Sequence, residues 1–147
     1  MIQPKYLFSK VIGSFEKVSF PDFGINDEIA KVDTGATSGS LHATDIKEIV
    51  LPTGERAVEF RPYGRKKKVT ATAFELINIR SSNGAISLRY VVPTTVVIQG
   101  VQYPIHVSLA DRTMMKKGIL IGRKFLREHG FIVDSQLGTE YKGEVKL

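Results

Sequence analysis

The sequence has 147 residues, of which 42% are hydrophobic and 24% charged, as in one ordinary globular domain. It contains no cysteine, which excludes disulfides and thiolate chemistry, and no window approaches the ~18 apolar residues of a membrane-spanning helix. The first residues carry no apolar core of signal-peptide length. We therefore expect residues 1–147 to form a single cytoplasmic domain without a membrane partner.

A surplus of basic residues is the first indication of function. Lys and Arg number 21 against 15 Asp and Glu, which gives a formal net charge of +6. Such a charge attracts nucleic acid, an acidic peptide or an anionic surface, although it can also serve solubility alone. The densest basic run, residues 65–68, follows Pro62-Tyr63-Gly64 and is interpreted as a charged hairpin tip.

The predicted secondary structure is a succession of strands that ends with one short helix. Stretches rich in Val, Ile, Thr and aromatic residues predict strands at residues 28–34, 56–60, 67–80, 85–99, 101–110 and 118–122. Turn signals occur at residues 52–54, 62–64, 82–84 and 99–100. Residues 122–130 (GRKFLREHG) predict a helix of about two turns, and residues 131–134 (FIVD) predict a last core strand. This order predicts an all-β fold, a closed or partly closed barrel with one short C-terminal helix.

One acid stands at the end of a predicted core strand. The stretch IAKVDTGATSGSL leads from apolar residues directly into Asp33-Thr34-Gly35. A carboxylate there is costly to bury unless another group holds it or the protein uses it. Because Asp and Gly are also common in turns, the triplet alone does not distinguish a turn from half of a catalytic pair.

Two segments of the chain, in this order, resemble the retropepsin-like aspartic proteases. In that family an apolar strand leads into an Asp-Thr-Gly-Ala loop, and a later Ile-Ile-Gly-Arg type strand leads into a single helix; the matching residues here are 33–36 and 119–123. The likeness is closer still to a bacterial branch labelled ATP-dependent zinc protease, often encoded beside ATP-grasp ligases that add glutamates to proteins. Its further marks are present at residues 31–36 (KVDTGA), 41–43 (LHA) and 109–115 (LADRTMM), so the resemblance covers roughly residues 10–135.

The resemblance implies a closed all-β barrel that dimerises into an aspartic endopeptidase. Two Asp side chains held face to face share one proton, so that one carboxylate deprotonates water while the other carboxyl polarises the scissile carbonyl. Thr34 would then fix the loop by hydrogen bonding, and Gly35 would let the backbone lie close to its twin. Because the chain has a single Asp-Thr-Gly, we expect the second Asp33 to come from another copy in a homodimer.

The resemblance also implies a peptide or protein substrate, acidic or polyglutamylated, and a functional link to an ATP-grasp glutamate ligase. Substrate contacts are expected from Ala36, His42, Arg89, Arg112 and Met114. Arg89 lies inside an apolar strand, where a charge must pair or face a cleft, so it is our candidate for binding a substrate carboxylate.

Several of these residues also have a structural interpretation. His42 could be a hydrogen-bonded core histidine, Asp111-Arg112 could be an ion pair within a turn, and Met114 could fill a gap in the core. Arg123, at the start of the predicted helix, is expected to tie that helix to the Asp-Thr-Gly loop.

The sequence departs from the family pattern and from the branch label. The branch usually carries Arg directly after Asp-Thr-Gly-Ala, whereas Thr37 stands at that place here. The chain has no His-Glu-x-x-His and no Gly-rich loop ending in Gly-Lys-Ser/Thr, so we expect no zinc, no ATP and no other cofactor. The hairpin that would serve as the flap is either residues 62–68 or residues 81–84.

Two other functions fit parts of the sequence. A dimeric barrel could hold acidic peptides without cutting them, although a pure binder gains nothing from two crowded carboxylates. Residues 65–68 could bind nucleic acid, but aromatic residues spaced for base stacking are missing around that run. The endopeptidase is therefore the favoured function.

Overall fold

A computed structural model describes residues 10–63, 65–80 and 83–143 of the chain. Its strands are β1 (Lys10–Gly13), β2 (Phe15–Phe20), β3 (Ile25–Asp33), β4 (Gly39–Val50), β5 (Arg56–Pro62), β6 (Val69–Ala71), β7 (Glu75–Arg80), β8 (Ile86–Ile98), β9 (Val101–Ala110), β10 (Ile119–Gly122) and β11 (Phe131–Asp134). One helix, α1 (Arg123–Glu128), separates β10 from β11, and short 3-10 turns cover Pro21–Phe23 and Thr139–Tyr141. Within these described ranges, no helix is long and apolar enough to cross a membrane.

Six of the strands close into a ring. In order, β10 pairs with β3, β3 with β2, β2 with β8, β8 with β9, β9 with β4, and β4 again with β10. The β3–β10 and β4–β9 pairs are parallel, and the remaining pairs are antiparallel. A closed ring leaves few unpaired strand edges among its members. The predicted all-β class with one short helix is confirmed.

The other strands extend from this ring. β5 pairs with β4 and β6 pairs with β5, so these strands continue the sheet outward beyond β4. β7 forms a hairpin with β8, and β1 forms a separate parallel pair with β11. The hairpin turn between β8 and β9 consists of Gln99 and Gly100, both with positive φ (52° and 78°), as the sequence signal predicts.

The core is filled mainly by alternate residues of the ring strands, and β5 adds further buried side chains. Along β9, Tyr103, Ile105 and Val107 are buried while His106 between them is exposed, which is the period-2 pattern of a strand with one buried face. The largest fully buried side chains include Phe20, Ile25, Leu41, Phe60, Ile98 and Ile119. Alternation read from the sequence therefore identifies the buried face correctly.

The structure contains three strands that were not predicted, β1, β2 and β4, and it differs most from the predicted elements in two further places. The single strand predicted for residues 67–80 is interrupted at residues 72–74, because its first part pairs with β5 and its second part pairs with β8. The helix predicted for residues 122–130 is shorter, since Gly122 is extended and His129 leaves the helical conformation. Gly64 and Ser82, which belong to two of the predicted turns, lie outside the described residues.

Candidate active site

Asp33 is the last residue of β3, and a strand from the far end of the chain lies beside it. β10 runs parallel to β3, with Gly122 opposite Asp33 in the register. Because parallel neighbours end at the same edge of a sheet, the loop after Asp33 lies next to the start of α1 at Arg123. The two segments that carry the family resemblance are therefore adjacent in space.

The carboxylate of Asp33 takes part in the turn that it begins. Its Oδ1 accepts a hydrogen bond from the Gly35 N–H at 2.9 Å, and its main-chain carbonyl accepts one from the Ala36 N–H at 3.2 Å. These bonds fix the half-buried carboxylate relative to the loop, as in an Asx turn. In the described part of the chain, no cation lies within ion-pair distance of Asp33, and Thr34 and Gly35 are exposed.

Arg123 holds this loop from the start of α1. Its Nη1 donates to the carbonyls of Thr34 and Gly35 at 3.2 Å each, and its Nη2 donates to the Thr37 hydroxyl at 3.0 Å. The Arg123 N–H adds a bond to the Ala36 carbonyl at 2.8 Å. This geometry agrees with the expectation that Arg123 ties the helix to the loop. Thr37, the residue at which the chain departs from the motif of the branch it resembles, is one of its acceptors.

The close packing of this region depends on glycine. A Cβ added to Gly122 would lie 2.6 Å from the carbonyl carbon of Ser38 and 2.9 Å from the carbonyl oxygen of Thr37. Gly122 has φ of −91°, which any residue can adopt, so space and not backbone conformation requires glycine here. A Cβ on Gly39 would similarly meet the Leu120 carbonyl oxygen at 2.9 Å. The loop after Asp33 therefore has little room to shift.

A cavity of about 410 Å³ lies beside Asp33. Its lining combines one carboxylate, from Asp33, with several basic side chains and an apolar wall. The basic side chains are those of Lys31, Arg112, Lys116, Lys117 and Lys142, and the apolar wall is formed by Phe15, Met115 and Leu120. Clustered cations in a partly enclosed site attract anionic groups more strongly than the same charges spread over a surface.

Lys117 is the most enclosed of these cations, with 3% of its surface exposed. Its Nζ donates to the main-chain carbonyl of Gly143 and lies 5.6 Å from the centre of the Phe15 ring. Burial lowers the pKa of Lys117, and the neighbouring Lys116 lowers it further. The ammonium group is thus held in place at the wall of the cavity.

Arg112 faces both Asp33 and a second arginine. Its Nε donates to the Lys117 carbonyl at 3.1 Å, which holds the side chain against its own loop. Burial lowers the pKa of Arg112, repulsion by Arg89 lowers it further, and attraction to Asp33 opposes both effects. Arginine nevertheless stays protonated in proteins, so Arg112 brings a fixed positive charge close to the Asp33 carboxylate.

His42 is buried, with 2% of its surface exposed, and does not line this cavity. Its Nδ1 accepts a hydrogen bond from the Arg112 N–H at 2.8 Å and lies 3.8 Å from Oδ1 of Asp111. Burial is the main cause that lowers the pKa of His42, while Asp111 acts in the opposite direction. The described geometry is that of a hydrogen-bonded interior histidine, the structural alternative considered from the sequence.

Two of the remaining predicted site residues, Arg89 and Met114, do not line the cavity. Arg89 is half-buried on β8, its Nε donates to the Ser87 hydroxyl at 3.3 Å, and no described carboxylate forms an ion pair with it. Met114 is 94% exposed and does not line the cavity, whereas its neighbour Met115 does. The substrate contacts assigned to Arg89 and Met114 stay predictions.

The bacterial branch that the chain resembles is labelled a zinc protease, and this label suggests a metal site. The residues that the structure describes contain no group of three or more His, Cys, Asp or Glu side chains placed to hold a metal ion. The donor set of a zinc centre is therefore missing from the described ranges, and no step of the chemistry below uses one.

Several cavity residues were not identified from the sequence. Lys31 had a usable signal, because it lies two residues before Asp33 on the same strand and therefore on the same face. Phe15, Lys117 and Lys142 come from three separate parts of the chain, and no local pattern in the sequence relates them to Asp33.

Comparison with known proteins supports a relationship over most of the chain. A family model described as RimB-like, retropepsin-like aspartic endopeptidase RimB, matches residues 11–139. A crystal structure of a protein of unknown function from Legionella pneumophila is similar, with a TM-score of 0.63 and 27% sequence identity, covering 87% of this chain and 94% of that one.

Two curated relatives carry the name "Probable alpha-L-glutamate ligase". The one from Shewanella halifaxensis is 30% identical over 145 residues, covering 92% of this chain and 31% of that protein. The one from Desulfotalea psychrophila is 31% identical over 134 residues, covering 87% of this chain and 28% of that protein. The chain thus spans less than a third of the length of these relatives. By the family match, which agrees with the resemblance in its motifs, the chain belongs to the RimB-like family of retropepsin-like aspartic endopeptidases.

Proposed function

We propose that the chain is an aspartic endopeptidase whose active site forms when the Asp33 residues of two copies meet across a two-fold axis. One observation carries this proposal. The Asp33 carboxylate is fixed by its own loop and by Arg123, yet no described cation forms an ion pair with it. A carboxylate that is held in place without a direct ion-pair partner is available for chemistry or for a second copy of the chain.

The chemistry requires two carboxyl groups in different protonation states. Like charges about 3 Å apart cannot both ionise, so the two Asp33 side chains would share one proton. The ionised carboxylate takes a proton from water, and the protonated carboxyl donates a hydrogen bond to the scissile carbonyl. Because the pair titrates as a unit, neither copy is assigned permanently as the acid or as the base.

The single chain supplies only half of such a site. Thr34 and Gly35 are exposed on the loop, so a second copy can approach the carboxylate closely on this side. A two-fold axis through this surface would place the same loop opposite itself, which is the geometry of an isologous dimer. Arg123 and the close packing at Gly122 support this arrangement, because they keep each loop rigid before the copies meet.

Acidic peptides are the substrates that the cavity favours. Its five basic side chains outnumber the single carboxylate of Asp33, and its apolar wall can hold the aliphatic part of a glutamate side chain. We extend the proposal to glutamate-rich or polyglutamylated chains. Relatives named for glutamate ligation support a functional link to an ATP-grasp glutamate ligase. The hairpin of β7 and β8 is the proposed flap, since Arg89 on it lies near enough to Arg112 to affect the pKa of that residue.

The test is the replacement of Asp33 by Asn. Asn keeps the shape and its Oδ1 can still accept the Gly35 N–H bond, so Asp33→Asn should fold and dimerise but lose peptide cleavage completely. The matched control is Asp134→Asn, because Asp134 also ends a strand, is half-buried and accepts the N–H of Gln136 at 2.9 Å in the same kind of turn. The control variant should cleave normally.

The dimer is tested on the same samples. Specific activity of the unmodified protein on a glutamate-rich peptide should fall on dilution, in step with dimer dissociation measured by sedimentation. Mixed dimers of normal and Asp33→Asn chains should be inactive, because one carboxyl group cannot act as both acid and base. Cleavage by Asp33→Asn, or full activity of a monomer, would overturn the proposal. Binding of the peptide by the unmodified protein without cleavage would identify a binding module instead.

A further inference from the structure

The loop between β9 and β10, residues 111–118, brings most of the cavity's basic side chains into place. Arg112, Met115, Lys116 and Lys117 all belong to this loop and line the cavity beside Asp33. Both ends of the loop are bound to one residue of another strand. The N–H of Arg112 donates to Nδ1 of His42 at 2.8 Å, and the carbonyl of Gly118 accepts the His42 N–H at 2.6 Å.

These bonds define the protonation state of His42. A main-chain N–H can only donate, so Nδ1 must accept and carries no proton. The neutral imidazole then has its proton on Nε2. A proton added to Nδ1 would point at the Arg112 N–H across 2.8 Å, and the hydrogen bond at that end of the loop would be lost.

We propose that His42 is a positioning residue that holds the 111–118 loop beside Asp33 only while its imidazole is neutral, so that proton uptake releases Arg112 and the cavity wall that follows it. The effect on peptide cleavage rests on the proposed function. The effect on the loop does not depend on it.

The groups around the imidazole determine the direction of this switch. Asp111 lies 3.8 Å from Nδ1 and is the acceptor that a protonated ring would gain in place of the Arg112 N–H. From the other side, the Tyr63 ring contacts the imidazole edge-on at 6.1 Å between ring centres, and the charge of Arg112 opposes protonation. Burial outweighs Asp111, and the pKa of His42 is lowered from 6.5.

The sign of the pH effect follows from this lowered pKa. An unfolded histidine binds its proton with the ordinary pKa of about 6.5, and the folded one binds it only at lower pH. The stabilisation is therefore complete above the ordinary pKa and is lost as the pH falls through the lowered, folded value. The loop should be ordered at neutral pH and loosened in acid.

Hydrogen exchange of two main-chain amides measures this directly. The Arg112 N–H is bound to the His42 ring, whereas the Tyr63 N–H is bound to the His42 carbonyl at 2.8 Å, which cannot titrate in this range. Between about pH 7.5 and pH 4.5, the protection factor of the Arg112 amide should fall by roughly fivefold to tenfold, as expected for one lost hydrogen bond, while that of Tyr63 stays constant. Nitrogen-15 spectra at neutral pH should show the Nε2–H form of His42.

Two variants separate the switch from a merely structural role. In His42→Asn, the side-chain oxygen can take the place of Nδ1 as acceptor but cannot titrate in this range, so Arg112 protection should be high and independent of pH. In His42→Leu the acceptor is missing, and protection should be low at every pH. If His42→Leu does not fold, the comparison of His42→Asn with the unmodified protein still decides.

The outcomes have distinct meanings. Arg112 protection that does not change with pH in the unmodified protein, or the Nδ1–H form in the spectra, would overturn the proposal. Where the protein cleaves peptides, acid lowers the activity of both proteins once the Asp33 pair takes up its second proton. His42→Asn should nevertheless lose less activity than the unmodified protein between about pH 7.5 and pH 4.5, and equal losses would contradict the effect of the switch on cleavage. Should the Asp33→Asn experiment disprove peptidase activity, the exchange measurement remains valid.

Discussion

Replacing Gly122 by Ala tests whether close packing between β10 and the loop after Asp33 is needed. The added methyl group would lie 2.6 Å from the carbonyl carbon and 2.8 Å from the carbonyl oxygen of Ser38. Ordinary contacts between such atoms are about 3.5–4.0 Å, so the two segments would have to separate by about 1 Å. All the contacted atoms belong to the main chain, so no side chain can rotate away to relieve the contact.

Three effects of Gly122→Ala determine the expected loss of stability: overpacking, the restriction of the unfolded chain and the quality of the N-cap of α1. Overpacking of this kind costs about 1–3 kcal/mol. Alanine also has fewer conformations than glycine in the unfolded chain, which raises the free energy of unfolding by about 0.4–1 kcal/mol. Residue 122 is the N-cap of α1, however, and alanine is a poorer N-cap than glycine, so this gain in stability is offset. We therefore expect a net loss of about 2 kcal/mol, which for a domain of this size corresponds to a Tm lower by about 4–8 °C.

Thermal and urea unfolding of Gly122→Ala measure this loss, with Gly143→Ala as the matched control. A Cβ on Gly143 meets no atom within 4 Å, so the control should be as stable as the unmodified protein. Peptide cleavage by Gly122→Ala should fall as well, because the Asp33 loop moves with Ser38. An unchanged Tm in Gly122→Ala, or equal losses in both variants, would refute the argument from close approach.

Two further predictions concern the cavity and its surroundings. The unmodified protein should bind a Glu-rich peptide better than a Lys-rich one, and added salt should weaken that preference. Arg89→Ala should reduce the preference for the Glu-rich peptide by about twofold to fivefold. The control Arg80→Ala should leave the preference unchanged, because Arg80 lies on the opposite face of the same hairpin. Equal binding of both peptides would contradict this charge-based recognition. The Tyr63 hydroxyl is buried without a hydrogen bond of ordinary geometry, although the Gly118 N–H lies near enough to act on it. Burial raises the pKa of Tyr63 to about 12, and the Gly118 N–H opposes this rise. Tyr63→Phe should therefore leave the free energy of unfolding unchanged or raise it by up to about 1 kcal/mol, and a clear decrease in urea unfolding would show that the hydroxyl is bonded.

The amino-acid sequence by itself determined most of the strands, the turn between β8 and β9 and the position of Asp33, whereas β1, β2 and β4 were not predicted. Alternation of apolar and polar residues is a local property, so β9 and β11 appear at their predicted residues, and Gln99-Gly100 forms the predicted turn. The Asp-Thr-Gly triplet and the later Gly122-Arg123 segment were also readable, because each is a short contiguous motif in a recognisable family pattern.

The tertiary structure alone decided which distant segments meet. Residues 67–80 contain two strands because the first part pairs with β5 and the second part pairs with β8. Local strand propensity does not indicate which partner a strand will have. The burial of His42 and its bond to Arg112 depend on a loop 70 positions further along the chain. The cavity likewise gathers Lys31, Lys117 and Lys142 from separate elements, since long-range strand pairing, and not sequence proximity, brings their charges beside Asp33.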